Sequence, residues 1–258
     1  KAHKLEFMYR ISVTTNCDYK LNMFKKILLY LNILHKSFIS KKNYYSFSGA
    51  DVLINDIFKK QESGFYLDIG CQHPIKNNNT YKLFKKGWKG VNIDLDQDNI
   101  NLFNLSRPND LNICTAISSS IEEVDLFFYH KKSPINTIEK KVSNFQNARI
   151  KEIKKIKTNT LNNIIESSEY NNKKFDLMSV DVEGHELDVF FGFDFKKNAP
   201  NVIVVEFLDL SLPKIEIKNQ NIHNIINSEI YKFLTSKNYT LANVVYADLI
   251  FINNNFRN

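Results

Sequence analysis

Between Phe65 and Asn253 the chain repeats one device: a short, nearly continuous apolar run, then a longer polar or helix-patterned stretch, then another run. The runs are FYLDI, GVNIDL, NICTAI, FDLMSVD, NVIVVEF, TLANVV and LIFIN. Strands that are apolar on both faces must be covered on both faces, and connections long enough to hold a helix permit parallel pairing. The pattern predicts an α/β fold: a Rossmann-like, mainly parallel seven-stranded sheet with helices on both sides. TLANVV and LIFIN are separated only by Tyr246, Ala247 and Asp248. That gap is too short for a crossover, so the pair is expected to form an antiparallel hairpin at one edge.

Upstream, residues 21–38 (LNMFKKILLYLNILHKSF) place Phe24, Ile27, Leu28, Leu31 and Leu34 at helical spacing with lysines interleaved. This stripe is expected to pack the helix on the main domain; a membrane-surface or partner helix is the second reading. DVLINDIFKKQ reads as a further helix, capped by Ser48 or Asp51 and stopping near Ser63 and Gly64. Residues 1–7, KAHKLEF, have the look of a cloning remnant, because Lys-Leu and Glu-Phe are encoded by two common restriction sites. The expected organisation is then an N-terminal helical extension over 8–63 and one domain over 64–258. An insertion at about 118–157 interrupts that domain. VDLFFYH and IKKIKTNTL read as extra strands there, followed by the helix LNNIIESS. Insertions with their own elements are usually functional, and this one is expected to shape the substrate side of a site.

Bulk properties narrow the class. With 43% hydrophobic and 24% charged residues, the chain has the make-up of a soluble globular protein. A formal charge of +7 admits an anionic partner, but the lysines are scattered rather than clustered. Cys17, Cys71 and Cys114 are odd in number and contain no CxxC pair, which argues against a disulfide framework and a zinc knuckle and for a reducing compartment. No apolar run reaches the roughly 18–20 residues of a transmembrane segment, and the opening lacks the zones of a secretory signal. A cytoplasmic location is expected.

The ligand loop follows the first core strand: Asp68-Ile69-Gly70, then Cys71, Gln72, His73 and Pro74. In open α/β sheets ligands bind beyond the carboxyl ends of the strands, where strand order reverses. Gly70 stands where a backbone approaches a ligand closely, and Asp94, ending the next strand, can accept both hydroxyls of a ribose. A pyrophosphate needs a nest of N–H groups. Here Pro74 has no N–H, and Asp68 repels phosphate. S-adenosyl-L-methionine fits better, since it carries adenosine, no phosphate and a cationic sulfonium.

The ordered set YLDIGCQHPIKNNNTYKLFKKGWKGVNIDLD, NICTAIS, SPINTI, TNTLNNII, FDLMSVDVEGHELDVFFGF and VIVVEF resembles the FkbM-like family of S-adenosylmethionine-dependent methyltransferases. It is most similar to the branch whose first loop reads Gly-x-x-x-Pro, Asn-Thr, Gly-Trp-x-Gly. The resemblance covers about Gly64 to Asn253. It implies that Asp68 and Gly70 line the methionine end of the cofactor and that Asn79 and Thr80 help close the loop. It further implies that Asp94 takes the ribose hydroxyls and that Ala116 and Ile117 form the adenine wall. Leu95 departs from the proline that many relatives carry there, which could move the ribose contact to Asp96.

SVDVEGHELD is the second dense cluster. Asp181 closes a strand beside the first one, so its carboxylate is expected at the methyl-transfer centre, with cofactor-binding and catalytic roles. Glu183, His185 and Glu186 follow on a turn permitted by Gly184. His185 is the best general base by intrinsic pKa, roughly 6.5; its plain structural role would be to cap the turn. Asp181 and Glu183 would orient that base or substrate hydroxyls. A second arrangement makes Asp181 and Glu206, with Glu183, oxygen ligands for Mg²⁺. His73 and His130 are weaker candidates for the pocket.

These residues point to an O-methyltransferase acting on a hydroxyl of a sugar, glycan or related small metabolite. One alternative is a nucleic-acid ribose 2′-O-methyltransferase, for which Asp181 and Glu206 end the appropriate strands. It lacks matching strand-end lysines and the aromatic–basic interleaving of a single-strand groove. A non-catalytic binding module of the same fold is the other alternative, and a dehydrogenase fits least.

Overall fold

The computed structural model of the protein describes residues 22–39, 44–130, 133, 136–140, 150–212 and 216–257. KAHKLEF and Cys17 lie outside the described residues. The main sheet comprises β1 (Phe65–Ile69), β2 (Lys89–Asp94), β3 (Leu111–Cys114), β7 (Leu177–Val180), β8 (Val202–Glu206), β9 (Tyr239–Val245) and β10 (Asp248–Asn253). Its order is β3-β2-β1-β7-β8-β10-β9, parallel from β3 through β8, with β10 antiparallel to both β8 and β9. The expected Rossmann-like sheet and its edge hairpin are both present.

Alternation sends neighbouring side chains of one strand to opposite faces, which is why the strands read as continuous apolar runs. Leu67 and Ile69 of β1, Met178 and Val180 of β7, and Ile203 and Val205 of β8 join one core. Tyr66, Leu177, Val202 and Val204 join the other. The second core is closed by α2 (Ala50–Ile57), whose Ala50 and Ile54 pack with Phe58 and Trp88. The N-cap of α2 is Gly49, left-handed at φ 89°, lying between the two predicted caps. Asp51 is instead buried, accepting from the Tyr45 N–H and the Ser46 hydroxyl at 2.8 and 2.9 Å.

NICTAI divides in two. Leu111–Cys114 stays in the main sheet, whereas β4 (Ala116–Ile117) pairs with β6 (Glu152–Asn159). β6 also pairs antiparallel with β5 (Glu123–Phe128), so the insertion forms a second sheet of order β4-β6-β5, feeding α5 (Leu161–Glu166).

The first helix among the described residues, α1 (Met23–Ile39), corrects the sequence reading. Phe24, Ile27, Leu28, Leu31 and Leu34 are 70, 48, 50, 54 and 47% exposed. The helix docks through the opposite seam, Leu29 and Ile33, which meet Ile75 and Leu102. Two residues at i, i+4 spacing suffice for that contact, and the wider apolar stripe is left facing outward. Leu102 belongs to α4 (Gln97–Ser106), so α1 rests on the helix that follows Asp94.

Candidate active site

The carboxyl ends of β1, β2, β7 and β8 converge on a cavity of about 310 Å³. Its wall includes Gly70, Asn79, Asp94, Ala116, Ile117, Asp181, Glu183, His185 and Glu206, bringing together residues read from five separate sequence segments. Ser133, Asn136 and Ile138 also line it, so the insertion does contribute wall. Asp68 and Thr80 do not line the cavity, and neither do His73 and His130 among the described residues.

Gly70 has φ +78°, and a Cβ there would stand 1.7 Å from the Asp181 carbonyl oxygen. The close approach it permits is thus first of all between the ends of β1 and β7. Beyond it the loop is pinned from below. Asp68 is buried and accepts from Asn78 Nδ2 at 2.9 Å and Thr80 Oγ1 at 2.7 Å. Fully buried Arg107 donates to Thr80 Oγ1 at 2.8 Å, Asn78 Oδ1 at 2.8 Å and the Pro74 carbonyl at 2.6 Å. Its guanidinium lies 4.9 Å from the ring centroids of both Phe84 and Phe103. Burial raises the Asp68 pKa while Arg107 opposes that rise. His73 Nδ1 accepts the N–H groups of Ile75 and Lys76, each at 3.1 Å, which makes it a brace of the same loop.

Asp94 lines the cavity at the end of β2. Its oxygens accept from the N–H groups of Gln72 at 2.8 Å and Asp96 at 2.7 Å and from Asn99 Nδ2 at 3.2 Å. Burial nonetheless pushes its pKa up to about 6. Asp96 caps α4 by accepting the Asp98 N–H at 2.8 Å. Asn79 reaches Ser179 Oγ at 3.1 Å, tying the loop to β7.

At the other end, burial raises the Asp181 pKa to about 7, with Asp248 and Glu186 adding repulsion and a hydrogen bond to Glu206 opposing it. Glu206 is raised well above the carboxylate range by burial, and its Oε2 lacks a hydrogen-bond partner. Carboxylate oxygens of Asp181, Glu183 and Glu206 all lie within 4.8 Å of one another. Such a group must share a proton or face a cation. His185 does not use its side chain as a cap. Its Nε2 meets the Ser118 hydroxyl at 3.0 Å, and Nδ1 faces Asp188 at 3.6 Å and Glu139 at 4.0 Å. Buried Glu186 instead holds the turn, accepting the N–H groups of Val182 at 3.1 Å and Gly184 at 2.9 Å.

Four non-glycine residues of the wall, Gln72, Asn77, Glu183 and Tyr246, have φ between 48 and 57°. Each costs on the order of 1–3 kcal/mol, and such strain concentrates at functional sites. Asp248 and Tyr246 escaped the sequence reading because they appeared only as a hairpin connection. Phe47 escaped it because nothing local ties it to a site; its ring packs edge-on to Tyr246 at 5.2 Å.

The strand order and the cavity at the strand ends define a Rossmann-like α/β protein with a ligand-sized cavity where strand order reverses. The family model described as "Methyltransferase FkbM domain" matches residues 68–241, more than half of the chain. The protein belongs to this family of S-adenosylmethionine-dependent methyltransferases. Comparison with curated proteins gave no match. Among solved structures, the O-methyltransferase from Bacillus cereus in complex with SAH is similar at 11% identity and a TM-score of 0.42, over 96% of each chain. At that level the likeness adds nothing to what the strand order already shows. No helix among the described residues is long and apolar enough to cross a membrane.

Proposed function

We propose that the cavity binds S-adenosyl-L-methionine and that the enzyme methylates a hydroxyl of a sugar, glycan or related small metabolite. The observation that carries this reading is the charge of the wall: Asp94, Asp96, Asp181, Glu183, Glu206 and Asp248 line it, with no lysine or arginine among the described residues. A wall whose described residues are this rich in carboxyl groups suits a sulfonium and a neutral polyol and opposes phosphate. It therefore disfavours the nucleic-acid alternative.

In this reading Asp94 accepts the ribose hydroxyls, Ala116 and Ile117 lie against the adenine, and Gly70 and Asn79 flank the methionine end. Asp68 and Thr80 act one layer below, fixing the loop. Held there, S-adenosyl-L-methionine would supply an electrophilic methyl group for the acceptor oxygen, with its thioether as the leaving group. The chain's part is to align that oxygen, which accounts for most of the acceleration, and to receive its proton. The Asp181–Glu206 pair suits the second task, being next to the cavity with a pKa near neutrality at Asp181. Glu183 orients acceptor hydroxyls. His185, engaged by Ser118, positions the turn that carries Glu183.

Calorimetry with S-adenosylhomocysteine on wild type and Asp94→Ala tests the cofactor site. Losing charge-assisted hydrogen bonds of roughly 1.5–3 kcal/mol each should weaken binding by about tenfold to a hundredfold or more. Unchanged affinity would move the ribose contact elsewhere, and no binding by folded wild type would favour the binding-module alternative. The mutual proximity of the Asp181, Glu183 and Glu206 oxygens favours one second reading, in which Mg²⁺ replaces the shared proton. Turnover that persists in a chelator supports the proton; turnover restored only by Mg²⁺ supports the metal.

A further inference from the structure

The outward face of α1 has no role in the chemistry above. Met23, Phe24, Ile27, Leu28, Leu31 and Leu34 are each 47–70% exposed on this one helix. At 100° per residue they fall on a single side, opposite the Leu29–Ile33 seam that holds the helix to the domain. An exposed stripe of this length on an isolated surface helix would be an aggregation hazard unless something apolar receives it.

Charge identifies the receiver. From Tyr19 to Ala50 the sequence contains six lysines (Lys20, Lys25, Lys26, Lys36, Lys41, Lys42) and no aspartate or glutamate. This segment alone holds almost the whole net charge of +7. Lys25 is only partly committed, 3.6 Å from Asp98 and half exposed. Two like-charged copies meeting through this segment would repel, whereas an anionic bilayer attracts it while accepting the apolar face. At 17 residues, with lysines on its domain-facing side, the helix is suited to lie in the interface rather than cross it.

We propose that α1 is a peripheral anchor that seats its Phe24–Leu34 stripe in the surface of an anionic lipid bilayer. The seam through Leu29 and Ile33 keeps the catalytic domain attached while the stripe is buried in lipid.

The test is flotation of the full chain with vesicles of phosphatidylcholine alone and of phosphatidylcholine mixed with phosphatidylglycerol. Binding should be confined to the anionic vesicles and weaken steeply with salt, by up to about fivefold per lysine lost. Leu28→Glu/Leu31→Glu should abolish it by placing two carboxylates in the apolar interface, while S-adenosylhomocysteine affinity and melting temperature stay at wild-type values. Failure to float with anionic vesicles overturns the proposal. In that case a concentration-dependent dimer broken by the same double substitution assigns the face to a second copy. A monomer assigns it to other residues of the chain. Because the readout is flotation, it is independent of whether the cofactor reading holds.

Discussion

Arg107 Nη2 donates to the Pro74 carbonyl at 2.6 Å, so the residue that deprives the ligand loop of an N–H also supplies the oxygen by which the loop is fastened. The same guanidinium holds Asn78 and Thr80, and through them Asp68. A buried cation fastens the loop from beneath.

Arg107→Met should therefore cost about 3–5 kcal/mol, since it leaves Asp68 and several carbonyl-type acceptors buried without their cation. Chemical denaturation measures this directly. A loss below about 1 kcal/mol would mean that the network contributes little.

Gly70→Ala should be at least as damaging to binding. The new Cβ would lie 1.7 Å from the Asp181 carbonyl at a φ of +78°, forcing β1 and β7 apart at the cavity floor. Calorimetry should show no S-adenosylhomocysteine binding, and the melting temperature should fall; unchanged binding would show that the strand ends can separate freely.

The carboxyl cluster sets a pH dependence with a definite sign. Asp94 and Asp248 are raised to about 6 and Asp181 to about 7, burial being the largest cause in each case. A raised folded-state value means that the native protein holds these protons longer than the unfolded chain. Their contribution to stability is then fully present below about pH 4 and lost as pH rises through about 6 to 7. The unliganded protein should melt lower at about pH 8 than at about pH 5. Glu206→Gln should narrow that difference by removing a buried carboxyl whose own pKa burial raises well above the usual range. A melting temperature independent of pH across this range would contradict the clustering.

Turnover distinguishes the two candidate bases. Asp181→Asn should lower kcat by about 10²–10⁴, whereas His185→Gln, whose amide can still meet Ser118, should stay within about tenfold of wild type. The wild-type rate should rise with pH through about 7, the value to which Asp181 is raised. The opposite ranking would make His185 the proton acceptor.

Much of the fold was legible because the signals are local. Short, nearly continuous apolar runs mark strands, Asp94 and Asp181 follow directly from where those runs end, and Tyr246–Asp248 is too short for anything but a hairpin. Arg107 was not legible, because nothing in SRPND distinguishes a surface arginine from one whose guanidinium lies between Phe84 and Phe103. The stripe of α1 was legible as apolar but not as outward-facing. Periodicity reports which residues share a side, and only the docking of Leu29 and Ile33 decides which side is buried.

By itself, then, the sequence determined the element types, the parallel sheet with its reversed edge, and the acidic strand ends, all of which depend on residues close together in the chain. The tertiary structure alone decided that Asp248 joins Asp181 and Glu206, that Ser118 engages His185, and that Asp68 lies beneath the cavity rather than in its wall. Those relations join residues 10 to 67 positions apart. They arise only when the strand ends are brought to one edge of the sheet and the chain's charges must find partners out of water.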